Sequence, residues 1–185
     1  WDAVGFTQAN ALGISVVTGV VNILVTLVAI ALVDRIGRRP ILMTGSIGMA
    51  LSLGTMALAF SQATAGASGP ELTGAWGPIA LVAANLFVVF FGASWGPLVW
   101  VLLGEIFPNS IRARALGVAA AAQWIANFII TVTFPSLSAA SLPLTYAGYA
   151  VFAALSFFFI LRVVPETKGM KLEDADELLA TRAAS

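Results

Sequence analysis

Four side-chain amides, Asn22, Asn85, Gln123 and Asn127, stand inside long apolar stretches of this 185-residue chain, where hydrogen-bonding groups are otherwise scarce. A membrane core offers no water to satisfy such groups, so each one must find a partner or serve a purpose. Ser15, Thr18, Asn22 and Thr26 recur at three- and four-residue intervals and form one stripe along a helix, and Gln123, Asn127 and Thr131 repeat the pattern further on. Asn85, Gly92, Gly96 and Trp100 fall near one face of a third helix, in which Pro97 removes a backbone donor and frees the carbonyl of Ala93. Amides bond hydroxyls, and an indole such as Trp100 or Trp124 covers the apolar face of a ring, so this combination suits a neutral, polyhydroxylated ligand. An ionic ligand would call for a charged partner, and a charge at mid-span costs about 2.5–3.5 kcal/mol on the insertion scale. None stands there. The plainer alternative is that the amides bond across helices, at about 0.6 kcal/mol each, while the glycines let helices approach closely. Residue by residue both readings stay open. Three striped helices beside two that carry only small or apolar residues favour a cavity with three lining helices. The small residues Gly45, Gly48, Ser52 and Gly54 of the second helix read as a packing surface.

Other chemistries find little support. With no cysteine and no histidine, disulfides, thiol nucleophiles and the usual metal ligand sets are excluded within this segment, so no metal site and no cofactor are expected. No nucleophile and acid–base pair converge at one depth, which argues against an enzyme. The nine basic and nine acidic residues cancel, and nothing suggests nucleic acid. The charges do cluster at helix ends, in Asp34-Arg35-Ile36-Gly37-Arg38-Arg39-Pro40 and in Glu105 before Arg112 and Arg114. Asp34, Arg38, Glu105 and Arg112 can form an ion-pair cluster that latches one end of a bundle in one of two states.

The elements that must position these groups follow from hydropathy. The chain is 59% hydrophobic and 10% charged, far from the roughly quarter-charged average of soluble domains. Uncharged runs cover 3–33, 40–70, 72–104 and 115–161. A crossing helix needs about 20 apolar residues; the first three runs fit one each, and the fourth is broken by Pro135, Ser136, Ser138, Ser141 and Pro143 into two. The sequence therefore predicts an all-α membrane protein with five spans, at 12–33, 40–60, 79–103, 115–135 and 145–164, after a stub at 1–11 and before a tail at 165–185. All nine basic residues then fall on one side, which places the stub outside and the C-terminus in the cytoplasm. Within the tail, Leu172, Ala175, Leu178 and Leu179 share one face of a short amphipathic helix. Trp1 in place of methionine, without a basic leader, suggests a fragment or an incomplete gene product.

With these segments placed, the chain resembles the sugar porters of the major facilitator superfamily, including bacterial xylose/proton symporters and glucose facilitators. The resemblance rests on Asp34 to Pro40, Gly96-Pro97-Leu98-Val99-Trp100, Gly104-Glu105-Ile106-Phe107-Pro108 with Ile111-Arg112-Ala113-Arg114, Gln123-Trp124, and Pro165-Glu166-Thr167-Lys168-Gly169. It implies helices eight to twelve of a twelve-helix fold in the cell membrane. It also implies that Asn22, Trp100, Gln123, Trp124 and Asn127 line a sugar cavity, and that Asp34, Arg38, Glu105 and Arg112 form the cytoplasmic ion-pair network. The implied function is part of a carrier that moves a neutral monosaccharide by alternating access, either proton-coupled or facilitative, with a missing N-terminal half and seventh helix as partner. An antiporter exporting drugs or metabolites is the alternative.

Overall fold

A computed structural model of the chain describes residues 8–66 and 69–168. The elements run α1 (Gln8–Ile36), α2 (Arg38–Ser61), β1 (Thr64–Gly66), β2 (Gly69–Glu71), α3 (Trp76–Ala93), α4 (Trp95–Ile106) and α5 (Arg112–Val163). The helical stretches Leu12–Ala31, Arg38–Ser61, Trp76–Ile106 and Arg112–Val163 are each long and apolar enough to cross a membrane. The last of these serves for two crossings. Its 52 residues would extend about 78 Å if straight, more than twice a hydrocarbon core of about 30 Å. Instead the ring of Phe134 lies 6.3 Å from that of Tyr146 and 6.5 Å from that of Tyr149, where a straight helix would hold them about 18 and 22 Å apart. The chain therefore doubles back, and five apolar crossings result.

The reversal is far tighter than the connector predicted over 136–144. Helix continues to Ala140, Ser141 alone leaves it at φ −167° and ψ 105°, and helix resumes at once. Ser141 caps the fifth crossing, its hydroxyl accepting the Leu144 N–H at 3.4 Å. Pro143 then occupies the first turn, where its missing N–H costs nothing.

Two further boundaries differ. The apolar part of the first helix begins at Leu12, where the span was expected, although the helix itself extends back to Gln8. The loop predicted at 34–39 shrinks to Gly37, whose φ of +102° turns the chain directly from α1 into α2. The third crossing, predicted as one helix over 79–103, breaks at Ser94 (φ −131°, ψ −90°) into α3 and α4, three residues before the proline that cannot donate to Ala93. The all-helical expectation holds for the crossings, but the segment between α2 and α3 forms a small antiparallel ladder with Thr64 opposite Glu71 and Gly66 opposite Gly69. The amphipathic helix predicted in the tail lies outside the described residues.

The second helix is the most enclosed. Ile41 and Leu42 of α2 meet Ala29 and Val33 of α1, Leu98 and Leu102 of α4, and Ile160 of α5 in one cluster, while Met56 and Phe60 meet Ala83 of α3 in another. Its small residues do the packing expected of them: a Cβ on Gly45 would run into the side chain of Ser94, and one on Gly48 into the ring of Phe90. Gly54, by contrast, has nothing within 4 Å of the corresponding position. Gly48→Ala is therefore expected to destabilise the protein by about 1–3 kcal/mol through overpacking, while Gly54→Ala leaves stability unchanged or slightly raised; thermal unfolding in detergent separates the two.

Candidate functional site

The polar stripe of α1 faces an open groove of about 520 Å³ lined by Ser15, Thr18, Gly19 and Asn22 of α1 and Val88 of α3. Thr18 donates to Asn85 Oδ1 at 3.0 Å, and the Asn85 amide donates to the Leu81 carbonyl at 2.9 Å. Asn85 is thus engaged in joining α1 to α3. Thr26 returns its proton to the Asn22 backbone carbonyl at 2.9 Å, and Asn22 is the amide residue that lines the groove. Gly92 of α3 keeps the wall low here, since a Cβ on it would lie 3.9 Å from Asn22 Nδ2.

Of the remaining predicted ligand residues, Trp100 is half-buried on α4, whereas Gln123, Trp124 and Asn127 lie exposed on the first arm of α5, Trp124 at 70%. The groove is lined by α1 and α3 alone, so this α5 face is not part of its wall. The two surfaces are uncharged, polar and open, and a ligand touching both would have to bridge them.

At one end of the bundle, where α1, α4 and α5 finish and α2 starts, lies a knot of contacts. The Arg38 guanidinium donates to Glu105 Oε1 at 2.7 Å, with 11% and 21% of the two side chains exposed, and also to the Val33 carbonyl at 3.3 Å. The other oxygen of Glu105 accepts the Thr167 hydroxyl at 2.5 Å. Glu105 thereby ties α2 to the segment that follows α5. Arg112 is not drawn in: its Nε–H donates to the Phe107 carbonyl at 3.0 Å and its guanidinium to Asn109, within its own loop. The side chain of Asp34 lies outside the described residues.

The knot includes groups that were quoted in the sequence only as part of a motif. Glu166 accepts the backbone N–H groups of Arg38 and Arg39 at 3.0 and 3.2 Å. It caps a helix whose own cap position, Gly37, has no side chain to offer, and its negative charge suits the positive end of the helix dipole. Arg39 donates to the Leu161 carbonyl at 2.7 Å and Lys168 to the Arg35 carbonyl at 2.6 Å. Thr167, 2% exposed, closes the arrangement. Contacts across more than a hundred residues leave no local signal, so only the shared motif could have pointed to them.

Comparison with known proteins agrees with this architecture. The model of the sugar (and other) transporter family matches residues 1–179. The glucose transport protein of Synechocystis is 58% identical over 174 residues, 94% of this chain and 37% of its own length. The D-xylose-proton symporter of Escherichia coli K12 is 38% identical over 185 residues, 96% of this chain and 35% of that protein. A solved structure of the proton:xylose symporter XylE bound to 6-bromo-6-deoxy-D-glucose superposes with a TM-score of 0.80 at 36% identity, covering 94% of this chain and 36% of that one. The chain spans little more than a third of the length of these relatives. A family match over nearly the whole chain, on five membrane-type crossings, establishes that this chain belongs to the sugar (and other) transporter family, as a sugar porter of the major facilitator superfamily and thus a transporter segment, not an enzyme.

Proposed function

We propose that this chain supplies helices eight to twelve of a carrier that moves a neutral monosaccharide across the cell membrane by alternating access. The observation that carries the reading is the uncharged polar groove at Asn22, open toward the side that α1 leaves bare. Amide and hydroxyl groups with no charge beside them match the hydroxyls of a sugar and give an ion no counter-charge. Gln123, Trp124 and Asn127 offer the same chemistry from α5, with Trp100 on α4, and the other wall of the cavity comes from sequence outside these five helices. The similarity to proteins named for glucose and xylose transport supports the substrate class.

In this reading the knot around Glu105 lies on the cytoplasmic side and no cofactor is required. Proton coupling, where it operates, uses an acid outside these crossings, because, of the described carboxylates, Glu71 stands in β2, Glu105 at the end of α4 and Glu166 after α5.

Grafting this chain in place of the matching segment of the Synechocystis relative tests the proposal directly. Uptake of labelled glucose or xylose by the graft is expected, and Asn22→Ala or Gln123→Ala should raise the sugar concentration for half-maximal uptake by about tenfold, the cost of one lost hydrogen bond to a ligand, at unchanged membrane abundance. A graft that reaches the membrane and moves drugs or organic anions but no sugar would refute it.

A further inference from the structure

The break in the third crossing sits against a part of α2 that is built differently from the rest of that helix. Gly45 and Gly48 let Ser94 and Phe90 approach, and between them Ser46 is fully buried. The indole N–H of Trp95, the first residue of α4, donates to Ser46 Oγ at 2.9 Å. The Ser46 and Ser156 hydroxyls lie 2.8 Å apart, and Ser156 donates to the Ala153 carbonyl at 2.7 Å. Ser46 accepts from the indole and is bonded to the Ser156 hydroxyl, so α4, α2 and α5 are joined in sequence.

Depth gives these bonds their weight. Ser46 lies about 12 Å from the start of α2 and Ser156 about 10 Å from the end of α5, well inside hydrocarbon, where water cannot replace a lost partner. The backbone at the break does not need them. Ser94 N–H reaches the Phe91 carbonyl at 3.2 Å, Leu98 N–H reaches the Ser94 carbonyl at 2.9 Å, and the Ser94 hydroxyl reaches the Phe90 carbonyl at 2.5 Å. A break alone would let α4 swing about Ser94; the side-chain bonds fix its direction. Five residues beyond Trp95 stands Trp100, and ten beyond stands Glu105, so one rigid half-helix connects the ligand face to the knot.

We infer that Ser46 is a positioning residue for transport: through the bonded chain Trp95, Ser46 and Ser156 it pins α4 to the α2–α5 pair at the break. The inference rests on the transport reading for its consequence, but the pin itself can be measured without sugar. This segment contains no cysteine, so once any cysteines elsewhere in the gene product are replaced by serine, nitroxide labels can be placed through cysteines introduced at the exposed positions Val101 on α4 and Leu161 on α5. The native gene product, purified and reconstituted, is compared with Trp95→Phe, which removes only the N–H-bearing ring, with Ser46→Ala, and with the double variant. Thr44→Ala serves as control, since that hydroxyl bonds only within its own helix.

Both single variants are expected to shift or broaden the label-to-label distance distribution, the double variant no further than either single, and the control not at all. Sugar uptake per carrier should fall about tenfold in each single variant, the effect of leaving a buried donor or acceptor unmet. Unchanged distances in Trp95→Phe, which keeps an aromatic ring in place and can be read even if Ser46→Ala fails to fold, would overturn the pin. Shifted distances with undiminished uptake would overturn its role in transport. Shifted distances in a protein that moves no sugar at all would instead leave the pin standing and remove the substrate reading.

Discussion

Glu105→Gln is expected to lower sugar uptake by about tenfold while leaving the protein folded and in the membrane. The carboxylate serves two partners at once, the Arg38 guanidinium at 2.7 Å and the Thr167 hydroxyl at 2.5 Å. Glutamine keeps the shape but offers only one acceptor oxygen and no charge. Removing one member of a fully buried ion pair costs about 3–5 kcal/mol. Here a fifth of the Glu105 side chain is exposed, so solvent screens the loss and about 1–2 kcal/mol is the appropriate scale. That range includes the 1.4 kcal/mol that moves a two-state equilibrium tenfold. Since Glu105 ends the half-helix that carries Trp100, the population of one access state should change, not the intrinsic contact with the sugar. Uptake measured per carrier, together with ligand binding to detergent-solubilised protein, separates those effects. Arg38→Ala, which also gives up the bond to the Val33 carbonyl, should lower uptake at least as much, and the double variant should be little worse than Arg38→Ala alone, because the bond to Glu105 is already lost there. Undiminished uptake in Glu105→Gln would show that the knot does not bear on the transport cycle, and additive losses in the double would show that the two residues act through separate contacts.

Much of the fold could be read from the chain because membrane crossings are specified by long, simple signals. Apolar runs set the number of helices, the Pro135 to Pro143 cluster located the reversal, and the arginines of 35 to 39 located the first turn. Boundaries were less legible, since a cap can make a turn out of one residue: Ser141 and Gly37 each do what a loop of several residues was expected to do. Pro97 signalled a weak point in the third crossing, yet the break lies at Ser94, where α2 offers Gly45 and Ser46 as neighbours that no local pattern names. The site shows the same division. Asn22 and Asn85 look alike in the sequence, and only packing separates the amide on the groove from the one spent on Thr18. On α5 every residue from 121 to 130 is exposed, so exposure there singles out no face, whereas the α2 partners of Glu166 lie more than 120 residues away and depend on how the ends of four helices meet.

Gly37→Ala is expected to produce the largest loss of stability of any single methyl addition in the knot. At φ +102° an L side chain is disfavoured, by about 1–2 kcal/mol. The methyl would also stand 2.7 Å from Glu166 Oε2 and 3.0 Å from its carboxyl carbon, so the carboxylate must withdraw from the N–H groups of Arg38 and Arg39. Losing a helix cap costs a further ~0.5–2 kcal/mol, and the combined effect is about 1.5–4 kcal/mol. Glu166→Gln removes the charge but keeps an acceptor oxygen, so its expected cost is smaller, about 0.3–1 kcal/mol for the interaction with the helix dipole. Thermal unfolding of the purified proteins in one detergent gives the comparison. If Gly37 and Glu166 act on the same cap, the double variant unfolds close to Gly37→Ala alone, because the alanine has already displaced the carboxylate. Fully additive losses would mean that Gly37 matters only for its backbone angle and that Glu166 holds α2 by some other contact.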